Sequence, residues 1–289
     1  MRFCLNCETP FAAADWTCPA CGFAPEMVDG FPCFAPALAR ENSDYDPAHY
    51  GMLVELEDTS FWFGARNRLI LWAISRCFPN VERLMEIGVG TGYAMQAIRA
   101  ALPGATITAS DINIEGLRFA AERLPGSVDL LQFDARRIPF REEFDVICMF
   151  DALEHIGEDT QVLAQLRQAL RPGGGILMTV PQHMSLWGPA DEVAFHQRRY
   201  EPEELRAKAA AAGFRVVLKT SFVSLLYPAL WASRWRIRRF GGYKAEAEHH
   251  QSRRVGPLLE AAMAVEFAGI RAGLRPPFGG SQLLAAVRD

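Results

Sequence analysis

Two groups of residues in this sequence have types and spacing that could do chemistry. The first is Cys4-x2-Cys7 followed by Cys18-x2-Cys21, four cysteines within the first 21 residues. Each pair makes a tight knuckle that presents two thiolates to one ion, and two knuckles complete the tetrahedron of a structural zinc site. With Cys4, Cys7, Cys18 and Cys21 filling every position, the ion has no open site for catalysis. So short a segment cannot bury enough surface to fold alone, and metal binding supplies the missing energy. The second group is "MEIGVGTGYA", Met85 to Ala94, where Glu86 stands ahead of Gly88, Gly90 and Gly92. A glycine loop after a strand usually cradles phosphate, yet Glu86 faces that anion. Two like charges about 4 Å apart repel by about 4 kcal/mol at an effective dielectric of 20. The P-loop pattern is absent, and Tyr93 occupies the place of the third glycine in a dinucleotide fingerprint.

A ligand carrying an ammonium and a sulfonium suits this loop better than an anion does, and S-adenosylmethionine carries both. Asp111 closes the next apolar run, where a carboxylate can take both ribose hydroxyls. Asp134 closes the one after, placed to accept from an adenine amino group, with the amide of Ala135 beside it. Three carboxylates at the ends of three successive strands, together with the loop, outweigh the alternative that each aspartate only caps a helix. Downstream, Asp151 and His155 in "FDALEH" border the place for an acceptor. His155 is a candidate general base because its intrinsic pKa lies near working pH, with helix positioning as the rival role. The stretch "PQHMSLWGPADEVAFHQRRY" brings His183, His196, Arg199 and Tyr200 toward the same place. There His196 could serve as base and Arg199 could hold an anionic acceptor group; a salt-bridged lid is the other reading.

These residues need a scaffold, and the hydrophobic pattern supplies one. Apolar runs and amphipathic segments alternate from "RLMEIGV" to "RVVLKTS", which predicts a parallel sheet covered by helices on both faces. The last run, "SQLLAAVR", can add one more strand. The expected class is α/β, a Rossmann-like doubly wound sheet behind a small N-terminal zinc ribbon. The expected division is a ribbon over 1–40, a helical cap over 41–80, and a main domain over 81–289 with a helical insert at about 223–274. The ribbon is expected to fold as a unit separate from that domain.

Composition limits the partners. The net charge of −4 excludes a general polyanion binder. No signal peptide opens the chain and no run is long enough to span a bilayer, so a cytoplasmic location is expected. The charge is uneven, however. From Lys219 to Lys244, both included, there are six basic residues and no acid, interleaved with Trp231, Trp235 and Phe240. Such a stretch fits a pocket lid, or a peripheral contact with the inner membrane surface through 222–244. Nucleic acid is not the expected partner, because residues 1–40 carry only Arg2 and Arg40 as cations.

The pieces "MEIGVGTGYA", "SDI", "FDARRIPF", "FDVICMFDALEHI", "LRPGGGILMTVPQ" and "PEELRAKAAAAGF" together resemble the class I S-adenosylmethionine-dependent methyltransferases, over residues 83 to 222. "PFGGSQLLAAVR" supplies the closing antiparallel strand of that family. The resemblance implies that Glu86, Gly88, Gly90 and Gly92 line the methionine end, Asp111 and Ile112 the ribose, and Asp134 and Ala135 the adenine, with Phe150 close by. It also implies a lid from helices before the first strand, in which Arg66 of "FWFGARNR" could hold the cofactor carboxylate. The implied activity is methyl transfer to oxygen or nitrogen of a small-molecule or lipid- or sugar-linked acceptor. A ribosomal-RNA methyltransferase using the ribbon for RNA, and a cofactor-binding scaffold without activity, are the alternatives.

Overall fold

The computed structural model describes residues 1–13, 15–40, 48–57, 59–126, 128–241 and 256–289. The expected helical positions 41–47 and the part of the insert at 242–255 lie outside the described residues.

Four short strands open the chain: β1 (Arg2–Phe3), β2 (Pro10–Phe11), β3 (Glu26–Val28) and β4 (Phe31–Cys33). Helices α1 (Pro36–Arg40), α2 (Ala48–Glu57) and α3 (Phe61–Cys77) follow. The alternating part is β5 (Arg83–Ile87), α4 (Tyr93–Ala101), β6 (Thr106–Asp111), α5 (Ile114–Arg123), β7 (Asp129–Gln132), β8 (Phe144–Phe150), α6 (Asp159–Ala169) and β9 (Leu170–Pro181). It continues with α7 (Pro189–Val193), α8 (Glu204–Ala211), β10 (Phe214–Phe222), α9 (Tyr227–Phe240), α10 (Gly256–Arg271) and β11 (Ser281–Arg288).

One nine-stranded sheet runs β10-β11-β9-β8-β5-β6-β7-β4-β3. Strands β5 to β9 are parallel, and β11 lies antiparallel between β9 and β10. The expected α/β class and closing antiparallel strand are therefore present. Side chains alternate across the sheet as its pleat requires. Leu84 and Ile107 join the layer made by Ile70, Ile74, Ile98 and Leu117. Met85 and Ile147 join the opposite layer with Val162, Leu166 and Leu205. Each such fully buried side chain contributes about 1.5–3 kcal/mol. The chain order reverses on either side of β5, so the switch point opens at the carboxyl end of β5, beside the glycine loop.

The amino-terminal segment is not detached from this sheet. Asp29 and Gly30 both have positive φ, 53° and 85°, and connect β3 to β4 as a two-residue hairpin of the kind Asp-Gly favours. Strand β4 then pairs with β7, and the buried Gln132 bonds both the N–H and the carbonyl of Ala35. The cysteine module itself docks on residues 137–141. Phe3 donates its N–H to Pro139, Arg137 donates to the Leu5 carbonyl, and Trp16 packs edge-on against Phe140.

Candidate functional site

A cleft of about 550 Å³ opens at the carboxyl ends of β5, β6, β7 and β8. Its size suits a ligand with the bulk of a nucleoside conjugate. Glu86, Gly88, Gly90, Asp111, Ile112, Asp134, Ala135, Phe150, Asp151, His155, His196 and Arg66 all line it. The residues expected at the cofactor end are thus brought to one place with Asp151, His155 and His196 of the acceptor end; Gly92 instead caps α4 just behind the loop.

The loop's geometry separates it from a phosphate cradle. Gly88 and Val89 donate their amides to the Ser110 carbonyl at 2.8 and 3.0 Å, and Gly92 donates to Val89 at 2.9 Å. Gly90 donates to Asp111 Oδ2 at 2.8 Å. Four amides are therefore already engaged inside the protein. Gly88 has φ +76°, and a Cβ there would sit 2.6 Å from that of Ala152, so backbone and cleft wall meet as only glycine allows.

Glu86 is buried, and its Oε2 has no hydrogen-bond partner among the described residues. Burial pushes its carboxyl up to about 8, with Arg66 opposing and Asp111 adding to the rise. Glu86 is therefore largely protonated near neutral pH, and a cationic ligand group would draw that proton off and take up the oxygen that lacks a partner. Asp111 is held between Gly90 N–H and Asn113 N–H, the latter at 2.9 Å; burial raises its carboxyl, and those amides counter the rise. These residues fit an ammonium at one end and ribose hydroxyls at the other. Asp134 is engaged by Arg136, whose Nε lies 3.0 and 2.9 Å from its two oxygens, so an adenine amino group would share that carboxylate with a guanidinium.

Arg66 of α3 is buried across the cleft, its guanidinium 4.8 Å from the Trp62 ring and bonded to Asp151 Oδ2 at 2.5 Å. Asp151 has φ +51°, a conformation costly for a residue with a Cβ, and Thr179 donates to the same oxygen at 3.1 Å. The two residues assigned separately by sequence, one to cofactor and one to catalysis, form a single ion pair. His155 and His196 meet edge to face with centroids 4.8 Å apart. Burial, then the neighbouring His196, pull His155 down to about 4, so its ring is neutral and a weak proton acceptor.

The remaining sequence candidates lie outside the cleft lining. Tyr200 is fully buried and donates its hydroxyl to Asp159 at 2.9 Å. Arg199 donates to the buried Asp191 at 2.7 Å, and His183 packs against the Tyr227 ring and faces Glu201. Arg199 and Tyr200 are thus taken up by protein carboxylates, whereas His183 Nε2 is buried with no hydrogen-bond partner among the described residues. Sequence reasoning passed over Tyr50, Glu57 and Thr91, which also line the cleft; Glu57 is bonded by Thr91 and, at 2.7 Å, by Arg123. Thr91 lies within the glycine loop itself, whereas the helical pattern of α2, which carries Tyr50 and Glu57, gave no reason to place them there.

At the amino terminus the four cysteine sulfurs lie within 4.8 Å of one another, with Cys4–Cys21 at 3.6 Å and Cys7–Cys18 at 3.7 Å. This arrangement could hold one tetrahedral ion.

Comparison with known proteins agrees with the fold and the loop. Residues 85–176 match the family described as "Methyltransferase domain". A probable phthiotriol/phenolphthiotriol dimycocerosates methyltransferase of Mycobacterium ulcerans is 34% identical over 96 residues, 32% of this chain and 37% of that protein. A malonyl-[acyl-carrier protein] O-methyltransferase of Methylococcus capsulatus is 27% identical over 186 residues, 60% of this chain and 66% of that protein. The chain thus spans between about a third and two thirds of the length of these curated relatives. Among solved structures, a methyltransferase of Haloferax volcanii in complex with a methyltransferase activator superposes with TM-score 0.57 at 17% identity, covering 83% of this chain and 96% of that one. A phosphoethanolamine N-methyltransferase of Haemonchus contortus in complex with S-adenosylmethionine gives TM-score 0.56 at 20% identity, covering 90% and 60%. Residues 85–176 thus match a methyltransferase domain, set in a mostly parallel Rossmann-like sheet with the glycine loop, strand-end carboxylates and closing antiparallel strand described above.

Proposed function

We propose that the protein binds S-adenosylmethionine in the cleft and methylates an oxygen or nitrogen of a small-molecule or lipid- or sugar-linked acceptor. The observation that carries the reading is the buried Glu86 oxygen without a partner beside a glycine loop whose amides are already engaged. Glu86 and the loop Gly88–Thr91 hold the methionine end, with Gly92 turning the chain into α4 behind it, Asp111 and Ile112 the ribose, and Asp134, Ala135 and Phe150 the adenine. When bound, the cofactor supplies an electrophilic methyl group. The chain's own residues bind, orient and exclude water. Arg66, released from Asp151 or shared with it, holds a carboxylate, while Trp62 and Phe63 close that side. Holding acceptor and methyl in line is worth about 7–11 kcal/mol, and a hydroxyl or amine acceptor must also give up its proton, to a cleft side chain or to water.

The cysteine site is proposed to hold a structural zinc that fixes the 137–141 segment below Asp134. For the acceptor, the names of the relatives support a lipid or acyl-carrier substrate. Helix α9 supports a surface that meets lipid: Trp231, Trp235 and Phe240 are 48, 54 and 72% exposed. The arginines are fewer than their number suggests. Arg234 is buried against Gly188, and Arg238 donates to the Trp187 carbonyl at 2.9 Å. Arg236 and Arg239 remain on the exposed face, and together contribute about 2 kcal/mol at an anionic surface. No helix among the described residues is long and apolar enough to cross a membrane.

The test is a transfer assay with labelled cofactor and three acceptor sets: hydroxylated lipids in anionic vesicles, soluble phenols and amines, and RNA. Label should enter the lipid fraction, and the protein should sediment with the vesicles at low salt. Changing Trp231 and Trp235 to Ser should abolish both. Label confined to soluble acceptors, with protein left in the supernatant, makes α9 a lid and the acceptor a free small molecule. Label in RNA alone would reject this reading.

A further inference from the structure

Glu154 follows the sharp turn after β8 and is fully buried, yet neither carboxylate oxygen has a hydrogen-bond partner among the described residues. Nothing in the cofactor reading uses it. Its carboxylate faces the cleft wall formed by His155 and His196. His196 Nε2 lies 3.9 Å from Glu154 Oε1, and a ligand atom from each of the three residues falls within 4.8 Å of the others. The other nitrogen of His196, Nδ1, is 2.8 Å from Asp191 Oδ1. Asp191 is itself buried and fixed by Arg199 at 2.7 Å and by the Gly188 amide at 2.9 Å. A carboxylate that holds one imidazole nitrogen in this way sets the tautomer, so that the lone pair of Nε2 points at Glu154. Two further bonds lock the segments together: Gln197 N–H to the Glu154 carbonyl and Gln197 Nε2 to the His155 carbonyl, both 2.9 Å.

We propose that Glu154, His155 and His196 form a binding site for one divalent first-row transition cation in the wall of the cleft, with Asp191 as the residue that positions His196. Two imidazoles and one carboxylate are a ligand set for Mn²⁺, Fe²⁺ or Zn²⁺ and a poor one for Ca²⁺. Ligand atoms about 2.1 Å from one ion stand about 3.0–3.4 Å apart, so a small inward movement of the side chains closes the site. The cation answers the two bare oxygens of Glu154. Its open positions face the cleft, where hydroxyl oxygens of an acceptor can complete the shell. That acceptor role rests on the methyltransferase reading; the cation site does not.

The experiment uses the full chain loaded with one equivalent of zinc, which the four thiolates take first and from which Mn²⁺ does not displace it. Mn²⁺ is titrated against it, and free ion is followed by electron paramagnetic resonance. One Mn²⁺ per chain is expected with micromolar affinity. Glu154→Gln and, separately, His196→Gln should each weaken it at least tenfold, with thermal unfolding confirming that the variants fold. Should Glu154→Gln not fold, His196→Gln decides. Binding of S-adenosylhomocysteine to the wild type is measured in parallel, so that failure of the cofactor reading is seen separately. Absence of Mn²⁺, Fe²⁺ and Zn²⁺ binding beyond the cysteine site, or equal Mn²⁺ binding by wild type and variants, would overturn the proposal.

Discussion

Changing Asp111 to Ala is expected to weaken binding of S-adenosylhomocysteine by about 5- to 150-fold, the equivalent of about 1–3 kcal/mol. The substitution removes a carboxylate that also accepts from the Gly90 and Asn113 amides at 2.8 and 2.9 Å. Two effects therefore add: ribose hydroxyls lose their partner, and the glycine loop loses the bond that holds Gly90 in place. Asp111→Asn keeps one acceptor oxygen and should fall between wild type and Ala. Isothermal calorimetry separates the three proteins. If Asp111→Ala binds the nucleoside product as tightly as wild type, the carboxylate neither holds the ribose nor braces the loop for binding.

Changing Cys18 to Ser should have the largest structural effect. Metal analysis of reduced wild-type protein should find about one zinc per chain in this module, and the variant should have lost it. Apparent zinc affinities of such sites are about 10–16 kcal/mol in small peptides, so residues 1–23 should become protease-sensitive. The loss should reach the cleft. Phe3, Leu5 and Trp16 are bonded to or packed on Pro139, Arg137 and Phe140, a few residues after Asp134 and Ala135. Affinity for S-adenosylhomocysteine should fall several-fold but persist, because Glu86, the loop and Asp111 sit on other strands. Wild-type protein free of zinc, or a Cys18→Ser variant with unchanged proteolysis, would remove the metal from the account.

Much of the scaffold was legible because buried parallel strands read as continuous apolar runs punctuated by helices. Thus "RLMEI", "TITASD" and "FDVICMF" are strands where expected. The loop and its carboxylates were legible for a chemical reason, since an acid ahead of three glycines excludes most anions. Other features depend on contacts that no local window contains. The β3–β4 hairpin at Asp29-Gly30 was not anticipated, and the pairing of β4 with β7 joins positions about a hundred residues apart. "LRPGGG" reads as a helix end and turn, whereas β9 starts at Leu170 and runs through it beside β8. Arg199 and Tyr200 show a further limit. A polar cluster in a connection looks the same whether it awaits a ligand or is satisfied by a distant carboxylate, and Asp191 and Asp159 satisfy these two. Arg66 and Asp151 were each noticed, but their ion pair across 85 residues was visible only in the fold.

The central claim is that this cleft takes a cation-bearing nucleoside and not a dinucleotide. Its most direct test is calorimetric titration of the wild-type chain with S-adenosylmethionine, S-adenosylhomocysteine and NAD under identical conditions. One site per chain is expected for the first two at micromolar concentration, with no measurable heat from NAD at a hundred times that concentration. NAD binding as tightly as S-adenosylmethionine, or neither S-adenosyl ligand binding, would contradict that claim.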